Sequence, residues 1–198
     1  MTSRSANLQV LIALAERAIM AHADGRTRTA AARVFERLAS REGTGAAIEA
    51  QRLPICHHQL DAAFSAMAAE PSPLPEIAAA FSALEGRLRW ERRHSSRPQD
   101  GAFHDGHANA TIIGPGGIEQ REDVWVGVTL MAPGITYPDH SHPPEEVYLA
   151  FTSGEWWNAE MDWTEPGPVG LIYNPPGILH AMRSGSSAFL AMWLLPVD

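Results

Sequence analysis

The chain has 198 residues, 45% of them apolar and 19% charged, which is enough for one sizeable core, and no apolar run approaches the roughly 18 residues of a membrane span. Residues 1–100 hold thirteen arginines and eleven acids, whereas residues 101–198 hold Arg121 and Arg183 against twelve acids; the acidic half argues against a nucleic-acid partner and favours a cationic small molecule. The single cysteine, Cys56, excludes an internal disulfide and fits a reducing cytoplasm.

The apolar stretch Leu8 to Leu14 is broken at Glu16-Arg17 without a following small-residue cleavage pattern, which argues against a secretory signal. Leu8, Leu11, Ile12, Ala15 and Ile19 instead form a stripe with helical spacing over residues 6–23, and Val34, Phe35 and Leu38 predict a second helix over 29–41. Gly43-Thr-Gly45 marks a break. Pro54 opens a third helix carrying Ile55, Leu60, Phe64 and Met67, and the breaker-rich segment 70–75 separates it from a fourth with Ile77, Phe81, Leu84 and Leu88. The character changes near residues 92–100. Beyond lie short apolar or alternating runs at 108–113, 123–131, 147–151, 155–162, 169–173 and 188–195, spaced by Gly and Pro, as in a small antiparallel barrel or sandwich. Gly114-Pro-Gly-Gly117 lacks the Lys-Ser/Thr of a phosphate loop and reads as a hairpin turn. The predicted fold is α+β, with a helical segment over 1–100 and a barrel over 101–198.

The chemistry concentrates in Gly134-Ile-Thr-Tyr137-Pro-Asp-His140-Ser-His142-Pro-Pro-Glu-Glu146-Val-Tyr148, followed later by Pro175-Pro-Gly177-Ile-Leu-His180. Residues two apart in a strand share a face, so His140 and His142 are expected to point together, as are Glu146 and Tyr148, with Pro143-Pro144 bending the chain between them. Imidazole and carboxylate suit one divalent transition metal, zinc or iron foremost, with manganese, nickel and cobalt also admitted.

Gly134, His140, His142 and Glu146 stand at the spacing of the first cupin motif, and Pro175, Gly177 and His180 at that of the second. The match departs from the pattern at Gly154, one place late, at Gly170, one residue nearer the proline, and at Ser184, where asparagine is common. Residues 101–198 thus resemble the cupin superfamily, implying a double-stranded β-helix or jelly-roll barrel. Within it, the string Tyr137–Tyr148, with Gly154-Glu-Trp-Trp157 and the helical segment, resembles the bacterial dimethylsulfoniopropionate lyases of the DddQ type. That resemblance implies cleavage of the sulfonium zwitterion to dimethyl sulfide and acrylate. It also implies metal binding by His142, Glu146 and His180, with Tyr148 near or on the metal and Tyr137 in binding or catalysis.

The residue types fit such chemistry on their own terms. A metal-bound carboxylate acidifies the neighbouring C–H, and a phenol, with its pKa of about 10 in water, becomes a base near neutral pH beside a divalent cation. Tyr148 is therefore the expected general base. His140 is a ligand by the general cupin pattern but a substrate neighbour by the lyase resemblance. A sulfonium needs aromatic faces, for which Trp193 is preferred over Trp163 and Tyr173, and Arg183 offers either a carboxylate anchor or an ion pair. Cys56-His57-His58 reads as a buried cysteine beside non-ligand histidines, and His104-Asp-Gly-His107 as a turn or entrance loop. The helices offer a lid or a homodimer surface, and neither a membrane nor a nucleic-acid partner is expected. The alternatives are an iron-dependent cupin dioxygenase and a non-catalytic small-molecule-binding cupin.

Overall fold

The computed structural model describes residues 4–198. Four helices lead the chain: α1 (Ala6–His22), α2 (Gly25–Ser40), α3 (Pro54–Ala69) and α4 (Leu74–Glu85). Each has a local cause. The Ser5 hydroxyl accepts the Leu8 N–H at the start of α1, satisfying one of the free donors there, and Pro54 occupies the first turn of α3, where its missing N–H costs nothing. Helix α2 begins four residues before the expected Thr29. Helix α4 ends at Glu85, capped by Gly86, so Leu88 is buried just beyond the helix instead of on it.

The remainder is strand. β1 (Thr44–Gly45) and β2 (Trp90–Glu91) precede the short helix α5 (Ala102–Gly106), and then follow β3 (His107–Ile113), β4 (Glu119–Gln120), β5 (Val124–Met131), β6 (Thr136–His140), β7 (Glu146–Ala150), β8 (Glu155–Asn158), β9 (Met161–Thr164), β10 (Leu171–Asn174), β11 (His180–Arg183) and β12 (Phe189–Pro196). The larger sheet runs β1-β4-β3-β5-β12-β7-β10, with β2 added beside β3; the smaller runs β6-β11-β8-β9. Together they make the α+β cupin barrel. Two runs resolve differently from the expectation. The stretch 155–162 is a hairpin, β8 turning into β9, because the Asn158 side chain accepts the Glu160 N–H and closes a turn. Gly117 N–H does donate to Gly114 O across the glycine-rich turn, but β4 then meets β3 in the parallel sense over a single residue pair, and the antiparallel neighbour of β3 is β5.

The large sheet is buried on both faces, and this explains why 123–131 and 188–195 read as nearly continuous apolar runs. Val126, Val128, Leu130, Leu190, Met192 and Leu194 join the apolar cluster of α1–α4. Their alternates Met131, Phe189 and Ala191 join Tyr137, Tyr148, Trp156, Ile172 and Met182 inside the barrel. Arginines fasten the helices down. Arg4 makes a two-pronged ion pair with Glu119 (2.7 and 2.8 Å) in which both side chains are nearly fully buried, Arg33 pairs with Glu145, and Arg37 donates to the Asp123 and Val197 carbonyls. The planar five-donor fork is what allows one side chain to serve several acceptors at once. Among the described residues no helix is long and apolar enough to cross a membrane.

Candidate metal centre and catalytic cavity

Strand register brings the two motifs together. β11 lies against β6, with His180 opposite His140, while β7 lies against β10, with Glu146 opposite Asn174 and Tyr148 opposite Ile172. Glu146 and Tyr148 share the inward face of β7, as their parity requires. The expectation that His140 and His142 share a strand face is corrected: β6 ends at His140, and His142 lies in the loop that Pro143-Pro144 bends back toward β7. A proline-rich loop, not strand alternation, aims its imidazole.

His142, Glu146 and His180 offer ligand atoms that all lie within 4.8 Å of one another. Nε2 of each histidine stands 3.4 Å from Glu146 Oε2. Both Nδ1 atoms meet a backbone carbonyl, Pro144 O for His142 (2.9 Å) and Ile178 O for His180 (3.0 Å), and His140 does the same with Pro138 O (3.0 Å). A carbonyl only accepts, so Nδ1 carries a hydrogen, and in the neutral ring Nε2 is the atom that keeps its lone pair. For buried His180 that Nε2 has no hydrogen-bond partner among the described residues, an arrangement costly for a structural histidine and required of a metal ligand. The carboxylate is braced from behind: Asn174 donates to Glu146 Oε2 (3.1 Å) and Asn158 donates to Asn174 (3.0 Å), both amides being buried. The donor set fits a divalent metal.

Burial pushes His180 down, and it pushes His140, with help from the neighbouring His180, to about 3. Burial also opposes charge on Glu146 and His142, but their mutual contact outweighs it, so Glu146 is held ionised and His142 is raised. Tyr148 is fully enclosed, and burial followed by the charge of Glu146 holds its phenol well above the usual range. His140 is outside the group whose ligand atoms converge, although its ring centre lies 4.0 Å from that of His180 and 6.3 Å from that of His142.

A cavity of about 230 Å³ opens over this cluster, lined among others by Tyr137, His140, Tyr148, Trp193, Trp125 and Met182. Trp193 is opposite Tyr148 on one side and Gly127 on the other. A Cβ on Gly127 would come within 2.2 Å of the Trp193 ring, so the glycine is what lets the indole lie across β5. Tyr137 reaches the cavity with its hydroxyl accepting from Asn109 (3.1 Å), which in turn accepts from Thr129 (2.7 Å). Trp163 and Tyr173 lie elsewhere. Tyr173 donates to Glu145 beneath Arg26, on the helix side, and Trp163 is covered by Arg183, whose guanidinium pairs with Glu155 (2.7 and 2.9 Å). Arg183 is thus the ion pair of its two alternatives. Ser184 replaces the commoner asparagine by accepting the Ile135 N–H and donating to Ala132 O, which ties the end of β11 to the turn before β6. Cys56 is buried and His57 and His58 are exposed.

Two features escaped the sequence. Asn109, Thr129, Asn158 and Asn174 are polar residues inside apolar strands, a signal visible only once the inward face is known. His104–His107, expected as a turn or entrance loop, is the end of α5 running into β3, and His107 is fully buried with its ring stacked on Phe103.

A family model of dimethylsulfoniopropionate lyases matches residues 26–191. A putative dimethylsulfoniopropionate lyase DddL of Cereibacter sphaeroides is 36% identical over 107 residues, 54% of this chain and 44% of that protein. Dimethylsulfoniopropionate lyase DddQ of Ruegeria pomeroyi is 32% identical over 120 residues, 58% of each. The chain therefore spans less than two thirds of the length of these relatives. In structure it resembles one of the DMSP lyases RdDddP and RnDddQII (TM-score 0.71, 20% identity, 96% of this chain and 92% of that one) and R. pomeroyi DddQ (TM-score 0.65, 23%, 93% and 92%). These likenesses carry the fold, helices included, and the family match bears out the resemblance read from residues 137–148: the chain belongs to the dimethylsulfoniopropionate lyase family.

Proposed function

We propose that the protein is a metal-dependent carbon–sulfur lyase that cleaves dimethylsulfoniopropionate to dimethyl sulfide and acrylate by β-elimination. The observation that carries this reading is the convergence of His142, Glu146 and His180 at a cavity that Tyr148 and Trp193 also line. Those three residues would hold the metal, with Tyr148 as the fourth ligand and His140 left beside the substrate. Zinc or iron suits the set best, with manganese, nickel or cobalt as the other candidates. When bound, the metal supplies positive charge that acidifies the C–H next to a carboxylate and stabilises a phenolate.

Tyr148, as phenolate, accepts the proton from the carbon next to the carboxylate. The electrons of that C–H bond form the carbon–carbon double bond, the bond from the next carbon to sulfur breaks, and sulfur leaves with the pair as neutral dimethyl sulfide. Burial and Glu146 keep the Tyr148 phenol protonated, so the base function depends on the cation. Tyr137, fixed by Asn109, orients substrate, and Trp193 faces the sulfonium, for which an indole face is a good partner at low desolvation cost. Residues 101–198 carry the proposed metal ligands and the base, and the four leading helices of residues 1–100 pack on the outer face of the barrel.

Headspace measurement of dimethyl sulfide from the metal-loaded protein tests this. Tyr148→Phe should lower release at least about 100-fold, the usual scale for loss of a general base, and release should be independent of oxygen. Absence of dimethyl sulfide from the unaltered protein refutes the lyase reading. Unchanged release from Tyr148→Phe refutes the base alone, and oxygen consumption with a thiol or enediol favours a cupin dioxygenase.

A further inference from the structure

His107 is buried beside the cavity and has no part in the reaction above. Its ring stacks on Phe103 (3.9 Å between centres, 2° between planes) and stands edge-on to Tyr137 at 5.5 Å. Both nitrogens are engaged: Nδ1 faces the Phe103 carbonyl, which can only accept, and Nε2 accepts the backbone N–H of Arg93 at 2.8 Å. The ring is held neutral by burial, reinforced by Arg92, His104 and Arg93 nearby, which together bring its pKa to about 4. A neutral, stacked imidazole with a fixed tautomer is a rigid acceptor, and what it fixes is the backbone of Arg93.

Arg93 sends its guanidinium over the Tyr137 ring, with Cζ 5.6 Å from the ring centre. The arginines on either side of it are satisfied: Arg89 pairs with Glu91, Arg92 with Asp105 and the His104 carbonyl, and Arg97 donates to the His94 and Ser96 carbonyls. Among the described residues the Arg93 guanidinium has no such hydrogen bond or ion pair, and it is half-buried. Its positive charge nevertheless bears on Tyr137, His140 and His180. The residues lining the cavity include Glu146 and aromatic faces but no lysine or arginine. For a zwitterionic substrate the lining thus offers aromatic faces and Glu146 to the cationic end and only hydroxyl, amide and ring N–H donors to the carboxylate, while the Arg93 guanidinium stands just behind the lining, over the Tyr137 ring.

We propose that Arg93, positioned by His107, is the protein's own partner for the substrate carboxylate, and that it makes the site favour a carboxylate over its neutral counterpart. This rests on the lyase reading for the identity of the substrate, though not for the binding of a carboxylate. A carboxylate has about four lone-pair positions, so one grip on the metal leaves acceptors for the guanidinium, whose parallel N–H groups match a carboxylate edge.

The test uses the zinc-loaded full chain, with propionate as a carboxylate probe and propionamide as its neutral counterpart. In Arg93→Met the KM for dimethylsulfoniopropionate and the Kd for propionate should each rise about 10- to 100-fold, the scale of a charge-assisted hydrogen bond, while kcat, zinc affinity and propionamide binding hold. Arg93→Lys should recover part of the loss. His107→Phe, which keeps the stack and removes the acceptor, should raise KM without an equal fall in kcat, and an unchanged KM there overturns the positioning role. Unaltered KM and propionate Kd in Arg93→Met overturn the proposal, as does a parallel loss of zinc. If the unaltered chain releases no dimethyl sulfide, the lyase reading fails by itself and the propionate comparison still decides Arg93.

Discussion

Acid should destabilise this fold in part through His107. In the folded chain the ring is fully buried with a pKa of about 4, whereas in the unfolded chain it titrates near 6.5. Between those values the unfolded state binds the extra proton, so folding stability falls as pH is lowered from about 6.5 toward 4 and is flat with respect to this group above about 7. A shift of that size corresponds to about 3 kcal/mol in full, of which about 2 kcal/mol is already lost at pH 5. His140 and His180 are also lowered and act with the same sign, so a single profile does not isolate His107. The comparison that does is urea unfolding of the unaltered chain and of His107→Gln at pH 7.5, 6.5, 5.5 and 5.0. Glutamine starts from lower stability because the stack on Phe103 is lost, but its profile should be shallower by about 2 kcal/mol across that range. Parallel profiles would refute the reasoning, because they would mean that His107 takes up its proton in the folded chain at no cost.

Two further outcomes follow from the cavity. Asn174→Ala removes the donor behind Glu146 Oε2 and one of the two acceptors of the Asn158 amide N–H groups; zinc affinity, read by competition with a chelating dye, should fall about 10- to 100-fold, and an unchanged affinity would show that Glu146 needs no brace. Gly127→Ala places a Cβ 2.2 Å from the Trp193 ring and 2.5 Å from the Ala110 carbonyl oxygen. Denaturant melts should show a loss of about 1–3 kcal/mol, and KM should rise with zinc binding intact, whereas an unaltered KM would remove Trp193 from substrate binding.

The helices and the metal-capable trio were legible for different reasons. Helical spacing is local, so Leu8 to Ile19 and Ile77 to Leu84 announce their faces without knowledge of the partner. The trio was legible because two spaced motifs had to agree, at His142–Glu146 and at Pro175–His180. Elsewhere local pattern ran out. Thr44–Gly45 and Trp90–Glu91 are too short to carry a period, and they are strands because β4 and β3 offer them edges. His142 was misplaced onto a strand because parity counts residues and not where a strand stops.

The sequence by itself therefore determined the α+β architecture, the donor set and the tyrosine two residues beyond Glu146, since each follows from spacing within a short stretch. Only the tertiary structure decided which face each aromatic takes and which polar groups lack partners. Trp193 lines the cavity while Trp163 and Tyr173 do not, because strands β9, β10 and β12 present different faces to the interior. Arg93 and His107, fourteen residues apart, meet because β2 pairs with β3 and carries the segment that follows it back beside the start of β3. Hydrogen-bond satisfaction is a property of the assembled molecule, which is why an unpaired guanidinium over Tyr137 and an orphaned Nε2 on His180 could not be read from the order of residues.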